Sequence, residues 1–180
     1  SLRTAIASRE IARYARGELD ANLGYTAGLL HDIGKAVISK FLVGTAGEML
    51  ALIENGEAED YIEAERSALG IDHCEAGREL AEMWGLPETL KEAIHYHHRP
   101  AQAEEAHRAL VYAVHLGEFV SMMAGIGTGT DCMRYQLDPG FNDFFDISSD
   151  TLHDLMVRVD DEFIRTKSAL SGGEDEGVGE

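Results

Sequence analysis

The sequence predicts an all-α protein, a bundle of six or seven helices. Apolar residues recur three and four positions apart along most of the chain, the spacing of one helix face. Only three of the 180 residues are proline. No run shows the strict apolar–polar alternation of a half-buried strand, and no internal repeat stands out. With 44% hydrophobic residues, a chain of this length can bury a substantial single core.

The first helix is expected from Leu2 to Gly17, with Leu2, Ala5, Ile6, Ala12 and Ala15 on its apolar side. Residues 20–24 make a break, Asp20-Ala21-Asn22-Leu23-Gly24. A second helix then runs through His31-Asp32 to Phe41, because one apolar stripe continues on both sides of the pair. Residues 45–54 and 57–69 read as two shorter helices. The latter ends at Gly70, and its Glu59, Glu63 and Glu65 read as solvent-facing.

Asp72 is a suitable N-cap for a helix from His73 to near Gly85, with Glu75 as its capping-box partner. Met83-Trp84-Gly85-Leu86-Pro87 reads as a packed corner with Trp84 in the core. Pro87 suits the first position of the next helix, which carries Leu90, Ala93, Ile94, His97 and His98. Pro100 ends it, since Arg99 before a proline is pushed out of helical geometry. A longer helix covers 104–124. Gly125 to Thr130 is a loop without the Lys-Ser/Thr of a phosphate loop. After irregular residues 131–148, Ser149 or Asp150 caps a last helix bearing Leu152, Leu155, Met156, Val159, Phe163 and Ile164. Residues 1–170 thus form one helical domain, and 171–180 are an acidic, Gly-rich tail expected to be disordered. Because helix begins at once, the chain reads as part of a longer polypeptide.

Fifteen basic against 33 acidic residues leave a formal charge of −18. That disfavours tracking a nucleic-acid polymer, which needs clustered Lys and Arg. A small phosphorylated ligand stays compatible, because bound cations reverse the sign locally. No apolar run approaches the roughly 20 residues of a membrane span. Cys74 and Cys132 lack zinc-type spacing and fit a reducing cytoplasm.

The most informative stretch is Gly28-Leu29-Leu30-His31-Asp32-Ile33-Gly34-Lys35. Burying an ionised Asp costs roughly several kcal/mol unless a cation or strong hydrogen bonds compensate. A divalent metal would do so, with neutral His as a natural co-ligand. His73 lies in the first turn of its helix, and His97 and His98 in the last turn of theirs. Glu118 interrupts an apolar stripe that includes Val111 and Val114. Four helices could each present a ligand to one interior point, as metal sites in bundles do. Plainer roles stand beside these. His31 and Asp32 could be a buried hydrogen-bonded pair. His97 and His98 could cap a helix C-terminus, and Glu118 could be an ion-pair partner. Lys35 could be a surface lysine, Arg78 and Arg99 surface ion-pair residues, and Cys74 a small buried residue. His95, His107, His115 and His153 read as ordinary or supporting residues, with His115 placed to orient Glu118.

The ordered set resembles the HD superfamily of metal-dependent phosphohydrolases, and more closely its HDOD branch of signalling domains. The matching residues are His31-Asp32-Ile33-Gly34-Lys35, Gly70-Ile71-Asp72-His73 with Gly77, and Trp84-Gly85-Leu86-Pro87. Ala93-Ile94 leading to His97-His98, and Val114-His115-Leu116-Gly117-Glu118, complete it. The resemblance implies an HD-domain, phosphodiesterase-like bundle in which His31 and Asp32 are central ligands and Asp32 bridges two metals. His73, His97 and His98 would complete the second metal. Glu118 stands where the family usually has its last Asp, one methylene shorter. Lys35, on the same face as His31 and Asp32, would touch a substrate phosphate in catalytic relatives.

Two departures accompany the match. The family's first His ligand would fall before Ser1. Arg99-Pro100-Ala101-Gln102 stands where cyclic-dinucleotide enzymes carry a Gly-Tyr-Pro loop. The HDOD branch is generally regulatory and usually has an upstream helical half. The leading expectation is therefore a cytoplasmic HDOD-type signal-transduction domain holding one or two divalent metals. Iron or manganese is favoured, with magnesium and zinc compatible. Its partners would be signalling proteins or a small phosphorylated ligand. The alternative is an active phosphohydrolase or phosphodiesterase acting on a nucleotide, cyclic or not, with Asp32 and Lys35 in catalysis. A third reading is a metal-free interaction module. Oligomeric state is not legible.

Overall fold

A computed structural model describes residues 1–42, 44–124 and 137–171. The elements follow as α1 (Leu2–Ala12), α2 (Ala21–Leu30), α3 (Ile33–Leu42), α4 (Ala46–Glu54), α5 (Tyr61–Leu69), α6 (His73–Met83) and α7 (Glu88–Tyr96). A 3-10 turn over Pro100–Gln102 leads to α8 (Arg108–Ala124), α9 (Phe141–Phe144) and α10 (Ser149–Ser171). Among the described residues there is no strand, only an isolated antiparallel bridge between Ala15 and Phe145. The all-α class is as the periodicity requires. The expected loop at 125–130 and most of the 171–180 tail lie outside the described residues.

Helix α8 is the axis. Leu110, Val111, Tyr112, Ala113, Val114, Leu116 and Val120 are all buried, because α1, α2, α7 and α10 all pack against it. One core cluster joins Ile6 and Ile11 of α1 to Leu116 and Val120 of α8 and Leu155 and Val159 of α10. A second joins Ala27 to Leu90, Ala93, Leu110 and Val114. Met49, Ile53, Ala58 and Ala64 form a smaller peripheral cluster under α4 and α5. Ion pairs Arg3–Asp160 and Arg9–Glu162, each 2.5 Å, clip α10 to α1. Among the described residues no single helix is long and apolar enough to cross a membrane.

Several boundaries differ from the sequence expectation. The first helix stops at Ala12, because the chain behind it pairs with residues 144–146: Arg16 N–H donates to Phe144 O (2.8 Å) and Asp146 N–H to Tyr14 O (3.0 Å). That pairing seats Phe145 in the core. The single helix expected across His31-Asp32 is two, α2 and α3, and the pair is the joint between them. Just beyond the joint, α3 crosses closely over α6. A methyl group at Gly34 would collide with the His73 carbonyl and come within 2.6 Å of Gly77 N.

The Asp72–Glu75 capping box forms as expected, with both reciprocal bonds. Pro87 is the N-cap of α7 rather than its first residue. Helix α8 starts at Arg108 instead of 104, because the buried Glu92 carboxylate takes the Glu104 N–H (2.9 Å). Trp84 is not in the core. It is 57% exposed and Met83 82%. Backbone bonds close this corner instead, from Trp84 N to Leu80 O (3.1 Å) and from Leu86 N to Ala81 O (3.0 Å).

Candidate metal centre

Four places in the fold face one interior point: the α2–α3 joint, the start of α6, the end of α7 and the middle of α8. They bring together His31, Asp32, His73, His97, His98 and Glu118. His31, His73 and His97 are essentially sealed from solvent.

Three of the rings are oriented alike. His31 Nδ1–H donates to Gly28 O (2.8 Å), and His97 Nδ1–H donates to Ile94 O (2.8 Å). His73 Nδ1–H donates to Glu65 Oε2 (2.6 Å). Each Nδ1 faces a pure acceptor, so each ring carries its proton there and turns the Nε2 lone pair inward. The inward nitrogens surround Asp32. His31 Nε2 is 3.3 Å from Asp32 Oδ2, while His73 Nε2 and His97 Nε2 lie 3.5 and 3.8 Å from Oδ1. His98 Nε2 is 3.2 Å from His73 Nε2. Glu118 lies 3.9 Å from His31 Nε2 and 3.8 Å from His98 Nδ1.

Burial holds His97 and His98 well below the ordinary imidazole range, and the neighbouring imidazoles push the same way. Both rings are therefore neutral donors. Burial opposes charge on His31 as well, but the Asp32 carboxylate outweighs it and raises that ring. Asp32 is held well below the usual carboxylate range, because His31, Lys35 and His97 together overcome its own burial. Lys35 Nζ hydrogen-bonds Asp32 Oδ2 at 3.1 Å and sits 3.0 Å from Oδ1, though not in hydrogen-bonding alignment with the latter.

Among the described residues, the buried polar atoms that take no hydrogen bond include two oxygens of this cluster, Asp32 Oδ1 and Glu118 Oε2. Asp32 Oδ1 has an ion-pair contact with Lys35 but no hydrogen bond, so both oxygens keep lone pairs that a cation could take. Neutral imidazole nitrogens and carboxylate oxygens are the donor set of a transition-metal site, so the residues fit a divalent cation. His31, Asp32, His97 and Glu118 offer atoms mutually close enough to share one ion. His73, Cys74, His97 and His98 form a second such group.

Sequence reasoning misplaced Glu65. It is buried rather than solvent-facing, and it also takes the His73 backbone N–H at 2.9 Å. A carboxylate behind a ligating His fixes its tautomer and raises its basicity. Glu65→Gln is therefore expected to weaken divalent binding about 10- to 100-fold while the helical content stays unchanged. Calorimetric titration with Mn2+ or Zn2+ checks this, and an unchanged affinity would exclude Glu65 from that role. The signal in the sequence was thin, one of four glutamates between residues 57 and 65.

His115 does not orient Glu118 through any bond described. Its Nδ1–H donates to His97 O (2.7 Å), and its Nε2 accepts the Asp138 N–H (2.9 Å). It fastens the end of α7 to the segment after α8. Arg78 pairs with Glu88 and Glu92, as a surface ion-pair reading expects. Arg99 is exposed and lines, with Arg66, Cys74 and His98, a small cavity beside the cluster.

Comparison with known proteins agrees with this architecture. The profile of the HDOD domain family matches residues 1–100. The chain belongs to the HDOD family. It resembles an HDOD domain protein of unknown function from Geobacter sulfurreducens, with TM-score 0.58 and 23% identity over 96% of this chain and 57% of that one. A protein from Shewanella amazonensis SB2B, provisionally designated a phosphohydrolase, matches with TM-score 0.64 and 23% identity over 88% of this chain and 56% of that one. A protein from Marinobacter aquaeolei VT8, provisionally designated a signal transduction protein, gives 0.64 and 20% over 94% and 36% respectively. At these identities the likeness speaks for the fold. The chain spans little more than half the length of the first two proteins and about a third of the last.

Proposed function

We propose that this chain is a metal-binding HDOD domain with a regulatory role in signal transduction. One observation carries the reading. Three buried imidazoles, each with Nδ1–H tied outward, turn Nε2 toward a carboxylate whose second oxygen accepts no hydrogen bond. His31, Asp32 and Glu118 would hold one cation, and His73, His97 and His98 a second, with Asp32 between them. Iron or manganese suits the carboxylate-bearing side, while magnesium and zinc remain compatible with parts of the set. The output would be contact with signalling proteins, or response to a small phosphorylated ligand.

A second reading, an active phosphohydrolase or phosphodiesterase, is favoured by Lys35. Its ammonium is partly exposed beside the Asp32 carboxylate, where it could meet a phosphate oxygen. When bound, divalent ions supply an activated water and neutralise phosphate charge. The protein's own part would be to seat the phosphate at Lys35 and keep Asp32 ionised. Against this reading, Lys35 is already engaged by Asp32, and Arg99-Pro100-Ala101-Gln102 closes α7 with a 3-10 turn.

Metal analysis of untagged protein, followed by melting with and without chelator, decides between the readings. Stoichiometric metal and a chelator-lowered melting point, without turnover of cyclic or linear phosphodiesters, are expected. Turnover that disappears in Asp32→Asn would establish the enzyme instead. Absence of metal together with chelator-insensitive melting would leave the metal-free interaction module.

A further inference from the structure

The second ligand group contains a residue that neither the family resemblance nor the first-choice ligand set uses. Cys74 follows His73 in the first turn of α6 and is buried. Its Sγ lies 3.9 Å from His97 Nε2, and His73 Nε2 lies 3.2 Å from His98 Nε2. The four ligand atoms all lie within 4.8 Å of one another. Metal–sulfur and metal–nitrogen bonds of about 2.3 and 2.0–2.1 Å at tetrahedral angles would set such atoms roughly 3.3–3.6 Å apart. The two shortest contacts bracket that range, and the remaining pairs, all within 4.8 Å, would close by up to about an ångström as the side chains draw in on an ion.

Two more facts bear on the assignment. His97 has one lone pair to give, because its Nδ1–H is committed to Ile94 O. That lone pair is nearly equidistant from Asp32 Oδ1, at 3.8 Å, and Cys74 Sγ. If His97 serves the sulfur side, His31, Asp32 and Glu118 remain as a separate N/O group. The chain then offers two sites of different softness. Thiolate with imidazoles selects zinc, whereas carboxylate with one imidazole suits manganese or iron.

From this geometry we propose that Cys74 is a metal ligand, completing with His73, His97 and His98 a closed four-coordinate, zinc-selective site. It rests on the metal-binding reading above and sharpens one half of it. A closed site of this kind holds structure rather than presenting an open position to substrate. On this assignment the sulfur side is a fastening and the carboxylate side alone meets ligand.

The test is Co2+ titration of the metal-depleted protein, read by absorption. A near-ultraviolet sulfur-to-cobalt charge-transfer band is expected alongside visible bands of tetrahedral cobalt. The band should vanish in Cys74→Ala and persist in Cys132→Ala. In competition titrations, Cys74→Ser should lose at least about tenfold in Zn2+ affinity, about 1.4 kcal/mol, and keep its Mn2+ affinity within about twofold. Co2+ binding without the band, or a band that survives Cys74→Ala, overturns the proposal and leaves the metal-binding reading intact. Equal losses of Zn2+ and Mn2+ affinity overturn the selectivity. Failure of the parent chain to bind any divalent ion overturns both readings. Should Cys74→Ala fail to fold by circular dichroism, the parent spectrum and Cys74→Ser decide.

Discussion

Gly34→Ala protein is expected to lose most of its stability, melting at least about 10 °C below the parent. The added methyl would overlap the His73 carbonyl and crowd Gly77 N, both backbone atoms that no rotamer change can move aside. Overpacking against side chains typically costs about 1–3 kcal/mol. Here α3 must lift off α6, so a loss of at least about 4 kcal/mol is expected, within the range of named structural failures. For a domain of this size each kcal/mol corresponds to roughly 2–4 °C. Gly47→Ala is the control. Gly47 is an exposed helical glycine with nothing within 4 Å of the added carbon. It should be stabilised by about 0.4–1 kcal/mol through reduced freedom of the unfolded chain. Thermal melts of both variants decide, and equal melting points would refute the crossing argument. A displaced α3 would also carry Asp32 away from His73, so any residual folded protein should bind metal poorly.

Asp32→Asn is expected to remove most of the metal-induced stabilisation while leaving the fold in place. Asp32 lies closest to the centre of the cluster, with His31, His73, His97 and Lys35 all within 4.0 Å of one carboxylate oxygen or the other. Asn keeps the shape and removes the charge that holds a cation between neutral rings. At a metal concentration one hundred times the parent's dissociation constant, the parent gains about 2.7 kcal/mol. A variant bound one hundredfold more weakly gains only about 0.4 kcal/mol at that concentration. Melting in chelator and then in Mn2+ gives both numbers, and an undiminished shift in Asp32→Asn would remove Asp32 from the site. Loss of the Asp32 charge also removes the strongest of the contacts that raise His31, leaving Glu118 and the Gly28 carbonyl, so in chelator the variant should titrate that ring lower than the parent does.

Much of this centre was legible because its residues break local rules. Asp32 and Glu118 interrupt apolar stripes, and His97-His98 sit next to a proline stop. A carboxylate or paired imidazoles in such places call for compensation. The cap at Asp72 was legible for a similar reason, since the Asp-x-x-Glu spacing satisfies two helix N–H or backbone donors by itself. What escaped depends on contacts between distant segments. Glu65 looks like its acidic neighbours until α5 lies against α6. The joint at His31-Asp32 is invisible to periodicity, because the apolar stripe continues through it. The early end of α1 follows from pairing with residues 144–146, far along the chain. Trp84 was misplaced by treating a large apolar side chain as core, a rule that runs only one way.

In polymer terms, the cluster of imidazoles is a potential cross-link. It gathers residues 31, 73, 98 and 118, so a single fastening there closes several long loops of chain. Loop closure grows only slowly more costly with length, and most of that entropy is lost by the unfolded ensemble rather than the folded one. An ion seated among these side chains would act as a multi-ended staple, with little change of shape in the folded domain. Its gain or loss would register chiefly as how often the helices separate.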